Sequence, residues 1–299
     1  MQEEAKKQIQ EYKNLIEQKL DEYIPIEYPE KIWESMRYSV LAGGKRLRPI
    51  LCLEACKVIS GSDQEAIATA CAIEMLHSQS LIHDDLPCMD NDDYRRGKLT
   101  NHKVFGESTA VLAGDALLSF APQIILQKTP KTVSSATILK VLEEYLISAG
   151  ASKLIGGQVV DIDSEGKQIE QTTLDYIHKN KTAALFKLAL RTGAILGNAT
   201  EKQLNALTSF AEKFGLAFQI MDDILDVTST LEELGKTPGK DEKSGKVTYV
   251  SFYGLDASKK LLSSLCKEAC DILKENDIKS DVFAEIVKSI LKKAEGNKS

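Results

Sequence analysis

Two stretches of the chain concentrate carboxylates at spacings that suit metal chemistry. LIHDDLPCMDNDD, from Leu81 to Asp93, carries five aspartates in thirteen residues. MDDILD, from Met221 to Asp226, carries Asp222, Asp223 and Asp226 at i, i+1 and i+4. On a helix, Asp222 and Asp226 share a face and Asp223 sits beside them. Unneutralised carboxylates at about 4 Å repel by on the order of 4 kcal/mol per pair at an effective dielectric near 20. Aspartate at a helix C-terminus also opposes the helix dipole. Positive partners are therefore required. A set of oxygen ligands alone favours magnesium, which is usually held by one or two carboxylates plus substrate phosphates. In the first stretch Asp84 and Asp90 are six residues apart, which an unbroken helix would turn away from each other. Pro87 breaks the hydrogen-bond ladder and disfavours helical geometry at Leu86. A turn there returns Asp90 toward Asp84.

Cations follow the same pattern of concentration. The chain has only six arginines, and four of them lie in two short motifs, LAGGKRLRP and YRRGK. The first supplies Gly43, Gly44, Lys45, Arg46 and Arg48; the second supplies Arg95 and Arg96. Arginine's rigid fork suits phosphate oxygens, and glycine lets backbone approach an anion. Lys45 and Arg48 stand at i and i+3. These five cations beside two magnesium-type clusters predict two phosphorylated groups. One diphosphate would bridge the metals, and the other would be held by side-chain cations alone.

These residues need rigid elements behind them, and the periodicity supplies helices. Pro is rare and β-branched alternation is hard to find, so the expected fold class is all-α. Ser62 with Glu65 and Thr200 with Gln203 read as capping boxes. Each opens a run of more than twenty residues, to about Asp85 and Asp226, and each run ends in an aspartate cluster. AIATACAIEML within the first run is apolar on nearly every face, which places it at the centre of a bundle. Glu74 inside it needs a polar partner. Leu234 to Lys246, rich in Gly, Lys and charge, reads as a closing loop. The tail from Lys292 reads as frayed.

Composition bounds the rest. A length of 299 residues with 43% hydrophobic content suits a globular chain with a sizeable core. The net charge of −6 gives no support to nucleic-acid binding. The six cysteines lack metal-site spacing and read as small, mostly buried residues. The charged, helical start shows no signal peptide, and no apolar run reads as a membrane span, so the expected location is the cytoplasm.

With these motifs in hand, the chain resembles the (E)-prenyl diphosphate synthases, the farnesyl and geranylgeranyl diphosphate synthase family. GGKRLRP, HDDLPCMDNDDYRRGKLTNHKVFGE, GGQVVDID, HKNKTAALF, FQIMDDILD and LGKTPGKD…GK match in order across about residues 40 to 250. The longer first aspartate motif, DDLPCMD, is similar to the bacterial and plastid branch. The resemblance implies one polyprenyl synthetase domain over residues 1–299, an all-α single-domain bundle around a deep central cavity, and a homodimer. It implies an enzyme that condenses isopentenyl diphosphate with dimethylallyl, geranyl or farnesyl diphosphate.

The resemblance also implies roles. Gly44, Lys45, Arg48, His77 and Arg96 match the isopentenyl diphosphate site. Arg95, Lys181, Lys236 and Lys246 match contacts to the allylic diphosphate. Asp84, Asp90 and Asp222 match the principal ligands of three magnesium ions, with Asp85 and Asp226 supporting. Lys181, Thr182 and Gln219 match catalytic groups, the last two steadying the developing allylic cation. Charge stabilisation of a departing diphosphate is the implied main effect. A lone helical histidine is ordinarily structural, so of His77, His83, His102 and His178 only His77 takes a role, through its motif.

The growing chain is expected to run down the cavity from Asp84 along its own helix. Residues four and five earlier, Ser80 and Gln79, lie about 6–7.5 Å deeper at 1.5 Å rise per residue. Farnesyl-specific relatives typically carry tyrosine at the deeper position. Gln79 is not aromatic, which predicts a C20 product over C15 unless its amide reaches across the cavity and blocks it. A terpene cyclase is set aside because DDILD and GGKRLRP are both present. The main alternative is a non-catalytic regulatory subunit of a heteromeric prenyl synthase, which would be expected to have lost aspartates.

Overall fold

In the computed structural model, residues 2–229 and 246–296 are described. The helices are α1 (Gln2–Tyr23), α2 (Glu30–Val40), α3 (Leu47–Ser60), α4 (Ile67–Asp84), α5 (Asn101–Phe105), α6 (Glu107–Lys128), α7 (Ser135–Ala149), α8 (Leu154–Ser164), α9 (Gln171–Ile177), α10 (Ala183–Leu196), α11 (Glu201–Thr228), α12 (Tyr249–Tyr253), α13 (Leu255–Glu275) and α14 (Asp281–Ala294). A π-turn, His178–Thr182, joins α9 to α10. The fold is all-α. Among the described residues the only sheet is a two-residue ribbon, β1 (Tyr94–Arg95) paired antiparallel with β2 (Lys98–Leu99).

The centre is α4, whose residues from Ile67 to Leu76 are all buried. It packs against α6, α3 and α10, and α10 in turn packs against α3 and α11. Phe186, Phe210, Phe214, Phe218 and Phe283 form a run of ring contacts from α10 through α11 to α14, with centroids 5.0–6.5 Å apart. Offset and edge contacts of this kind suit ring quadrupoles. The two ends of the chain meet, because α1 packs on α14.

The Thr200–Gln203 capping box forms at the start of α11, a helix of 28 residues. The Ser62 box does not form on α4. Ser62 Oγ instead donates to Glu65 Oε2 at 2.7 Å, and a short 3-10 turn, Gln64–Ala66, precedes an α4 of only 18 residues. That helix is about 27 Å long, shorter than expected. The tail is not frayed at Lys292, because α14 continues to Ala294 and buries Ile290 and Ala294. Among the described residues one helix, α6, is long and apolar enough by length and composition alone to cross a bilayer, a test that core helices also pass. Its Ala113, Leu117 and Ala121 are buried and it packs on α4, as a core helix does. All six cysteines are free; Cys52, Cys56, Cys71 and Cys266 are buried, whereas Cys88 and Cys270 are exposed.

Candidate active site

A cavity of about 710 Å³ opens among α4, α8, α10, α11 and the segment before α3. It is lined by Gly44, Lys45, Arg48, His77, Arg95, Arg96, Asp84, Lys181, Thr182, Gln219 and Asp222, and also by Gln79 and Ser80. Asp85, Asp90, Asp226 and Lys246 are not among its lining residues. Lys236 and the Leu234–Lys246 loop, apart from Lys246 itself, lie outside the described residues.

The first acidic segment is shaped by its proline. After α4 ends at Asp84, the Asp90 amide donates to the Asp84 carbonyl at 2.8 Å, and Met89 and Asn91 both donate to the Leu86 carbonyl. The loop therefore closes on itself and returns Asp90 to the helix end. Burial pushes the Asp84 carboxyl up, Lys181 pulls it back and Asp90 adds to the push. Lys181 Nζ lies 2.6 Å from Asp161 Oδ2 and 4.0 Å from Asp84 Oδ2. Burial opposes its charge, but Asp84 and Asp161 outweigh burial and hold its pKa above the usual lysine range. Lys246 bonds Asp90 Oδ1 at 2.9 Å and lies 3.9 Å from Asp161. Burial opposes its charge too, and Asp161 and Asp90 raise its pKa regardless. Asp161 thus gathers both lysines. Its motif, GGQVVDID, is visible in the sequence, but nothing local distinguishes Asp161 from a surface aspartate.

Asp85 is turned elsewhere. It is 3% exposed and accepts from the Arg95 guanidinium, which also reaches Asp92. Burial raises the Asp85 carboxyl against the pull of Arg95. Arg96 and Gly97 have positive φ, which makes the tight turn between β1 and β2. That turn separates the two arginines. Arg96 donates to the Gly43 carbonyl, and a Cβ on Gly44 would lie 3.0 Å from Arg96 Cζ. Gly44 therefore lets the guanidinium lie against bare backbone.

The basic motif divides in the same way. Arg46 borders the same cavity, but its guanidinium is taken up by protein groups. Its side chain is wholly buried and pairs with Glu74 at 2.6 Å, Glu17 at 2.8 Å and the Val40 carbonyl at 2.7 Å. This is the partner that Glu74 required. Arg96 Nη2 also lies 3.7 Å from Glu74. Arg48 has no ion pair among the described residues. Its Nε is buried without a hydrogen-bond partner, and its Cζ sits 4.5 Å from the Phe186 ring centroid. Burial pulls the Arg48 pKa down to about 10. Burial and the nearby Arg48 and Arg96 hold the His77 imidazole well below its usual value, so the ring is neutral. Lys293 of α14 joins Lys45 here. Burial and that like charge pull Lys293 down to about 8. The sequence reading missed Lys293 because it assigned this segment to a frayed tail. Asp222 acts electrostatically on both Arg48 and Lys293, so the basic zone adjoins the second acidic cluster.

The second cluster also splits by role. Asp223 accepts from Gln219 Nε2 at 2.9 Å and from the Tyr249 amide at 2.8 Å. Gln219 Oε1 in turn accepts from Thr182 Oγ1 at 2.8 Å. Lys181 and Thr182 both ride on the π-turn, a geometry that often marks functional positions. Asp226 is 3% exposed, and its Oδ1 finds no hydrogen-bond partner among the described residues. Gln158 of α8 lines the cavity with both amide atoms unpartnered. Orphaned buried polar atoms call for a ligand, ion or water.

The polyprenyl synthetase family profile matches residues 29–289, which include every group described above except Glu17 and Lys293. The chain belongs to this family. It is 51% identical over 265 residues to a chloroplastic geranylgeranyl pyrophosphate synthase of Catharanthus roseus, covering 88% of this chain and 74% of that one. It is 52% identical over 255 residues to a dimethylallyltranstransferase of Fischerella ambigua, covering 85% and 73%. Its fold matches a geranyltransferase of Helicobacter pylori, solved with magnesium and isoprenyl diphosphate, with a TM-score of 0.82, 30% identity and coverage of 95% and 96%. This family member is a prenyltransferase.

Proposed function

We propose that the chain condenses isopentenyl diphosphate with allylic diphosphates, and that geranylgeranyl diphosphate, C20, is its end product in preference to C15. One observation carries the assignment. A single cavity holds an acidic zone, with Asp84 and Asp222, beside a basic zone in which Arg48 makes no ion pair among the described residues and its buried Nε has no hydrogen-bond partner there. Two diphosphates with different needs fit these two zones.

Magnesium fits the acidic zone. The donors are carboxylate oxygens, and Asp226 holds an unpartnered buried oxygen. Among the described residues no three ligating side chains converge on one metal position. That suits an ion completed by substrate phosphate. Asp84, Asp90 and Asp222, with Asp85 and Asp226 supporting, would hold the ions, three per site. When bound, they neutralise charge on the departing diphosphate.

The protein's own groups do the rest. Lys181, Lys246, Arg95 and Lys236 bind the allylic diphosphate. Thr182 and Gln219 present oxygens to the developing cation, and Asp223 fixes the Gln219 amide by accepting from its NH₂. Lys45, Arg48, His77, Arg96 and the Gly44 backbone seat isopentenyl diphosphate so that its double bond attacks the cation; the adduct then loses a proton, taken up by the released diphosphate, to form the product's new double bond. His77 contributes as a neutral ring. Cavity walls formed by Leu154, Val159, Ile162, Leu185 and Phe218 exclude water from the cation.

The C20 reading rests on Gln79. Its amide bonds His83 on its own helix at 3.1 Å and does not reach across the cavity. Val111 and Leu112 on α6 and Leu139, Leu146 and Ile147 on α7 are large apolar side chains left exposed, of the kind that a homodimer would cover. Six free thiols suit a reducing cytoplasm. The test is to incubate purified protein with magnesium, labelled isopentenyl diphosphate and each allylic starter. C20 supports the reading, and accumulation at C15 refutes the open floor. No condensation by folded, metal-loaded protein favours the regulatory-subunit alternative.

A further inference from the structure

His83 immediately precedes the first acidic pair, and its ring crosses from α4 to α6. Nε2 lies 3.1 Å from the Val111 carbonyl, and Nδ1 lies 3.1 Å from Gln79 Nε2. A carbonyl only accepts, so Nε2 carries the hydrogen and Nδ1 is left as an acceptor. The Gln79 amide then donates to it. One ring thus ties Gln79 to a main-chain group of the neighbouring helix. The ring can sit there only because residue 114 is glycine. A Cβ on Gly114 would lie 2.0 Å from His83 Nε2 and 2.4 Å from Cδ2. Gly114 is therefore a notch in α6 that receives the imidazole, and His83 is also among the residues that line the cavity, with Gln79 and Ser80.

We propose that the His83–Gly114 seat is a specificity-determining feature for product length: held in the Gly114 notch, the His83 ring stays out of the path of the growing prenyl chain. The proposal rests on the cavity being the seat of that chain. His83 and Gln79 are i and i+4 on α4, so both stand on the face that the chain passes. A methyl group at residue 114 would occupy the ring's place. The ring would then have to leave the notch, and turned into the cavity that His83 lines it would shorten the channel.

The experiment compares product lengths from wild type, Gly114→Ala, His83→Ala and the double variant, using labelled isopentenyl diphosphate with dimethylallyl diphosphate. Gly114→Ala is expected to end one isoprene unit earlier, with the ratio of the longest to the next shorter product falling by about tenfold or more. His83→Ala alone is expected to give products no shorter than wild type. The double variant is expected to regain the wild-type length, because the new methyl group enters space the ring has left. A general disturbance of helix packing by Gly114→Ala would not be relieved by removing His83. If Gly114→Ala alone fails to fold, the double variant should fold, and its failure overturns the proposal. Unchanged length in folded Gly114→Ala, persistent shortening in the double variant, or shorter products from His83→Ala would each overturn it. Loss of all condensation by wild type would instead strike the underlying assignment of the cavity.

Discussion

The backbone amide of Asp90 donates to the carbonyl of Asp84 at 2.8 Å, closing a six-residue loop over Pro87. Two carboxylates that a continuous helix would point apart are brought to one helix end. Proline, usually a breaker, here sets the distance between acidic groups.

Replacing Pro87 by alanine should let the chain sample helical geometry at Leu86 and loosen Asp90. Stability should change little, because the loop is at the surface of the cavity mouth. Turnover should fall by about a hundredfold, the usual consequence of misplacing a reacting group by an ångström. Steady-state kinetics alongside thermal unfolding check this. A stable variant with wild-type turnover would mean that the loop needs no proline.

Gln79→Tyr places an aromatic ring at the depth where Gln79 now bonds His83. Product should shorten from C20 toward C15, with the first condensation nearly unaffected. Chromatography of labelled products measures it, and an unchanged product would remove Gln79 from the floor.

Glu74 is 2% exposed and is the main counter-charge to the buried Arg46. Glu74→Leu leaves that guanidinium poorly compensated in the core. Breaking a buried pair on one side costs about 3–5 kcal/mol. Urea denaturation should show a loss of that order. A loss well under 1 kcal/mol would mean that Glu17 alone satisfies Arg46.

His178 is held down to about 4, chiefly by burial. The unfolded chain takes up a proton near pH 6.5 while the folded protein does not until near pH 4. Its contribution is therefore fully present above pH 6.5 and is lost as pH falls to about 4, by on the order of 3 kcal/mol in all. His178→Phe should flatten the stability profile between these limits. Denaturation midpoints at pH 5 and pH 7.5 for both proteins decide it.

Lys293, held at about 8 by burial and Lys45, should be raised again by a bound diphosphate. Below about pH 8 it is charged before and after binding, so affinity is full. As pH rises above that value the free enzyme loses the proton, and binding must recapture it. Isopentenyl diphosphate should therefore bind more weakly at pH 9 than at pH 7, with proton uptake measurable by calorimetry in two buffers. Lys293→Met should lose much of this dependence. An identical pH profile in the variant would place Lys293 outside the site.

The residue string by itself determined the helical class and the motifs that fill the cavity. Periodic burial, proline placement and the Thr200 cap are local properties, readable at spacings of a few residues. Asp84 and Asp222, Lys45 and Arg48 could be named because chemistry follows side-chain type, and Lys181 and Thr182 because their motif resembles the family's. Tertiary structure decided which of these groups are spent on one another. Arg46 and Arg48 stand two residues apart, yet one is neutralised by Glu17 and Glu74 and the other makes no ion pair among the described residues. The left-handed backbone at Arg46 and the packing of α1 and α4 around it set that difference. Asp161, Lys293 and the His83–Gly114 seat were invisible for the same reason. Their partners are 20 to nearly 250 residues away in sequence, and only the bundle brings them within hydrogen-bond or contact distance.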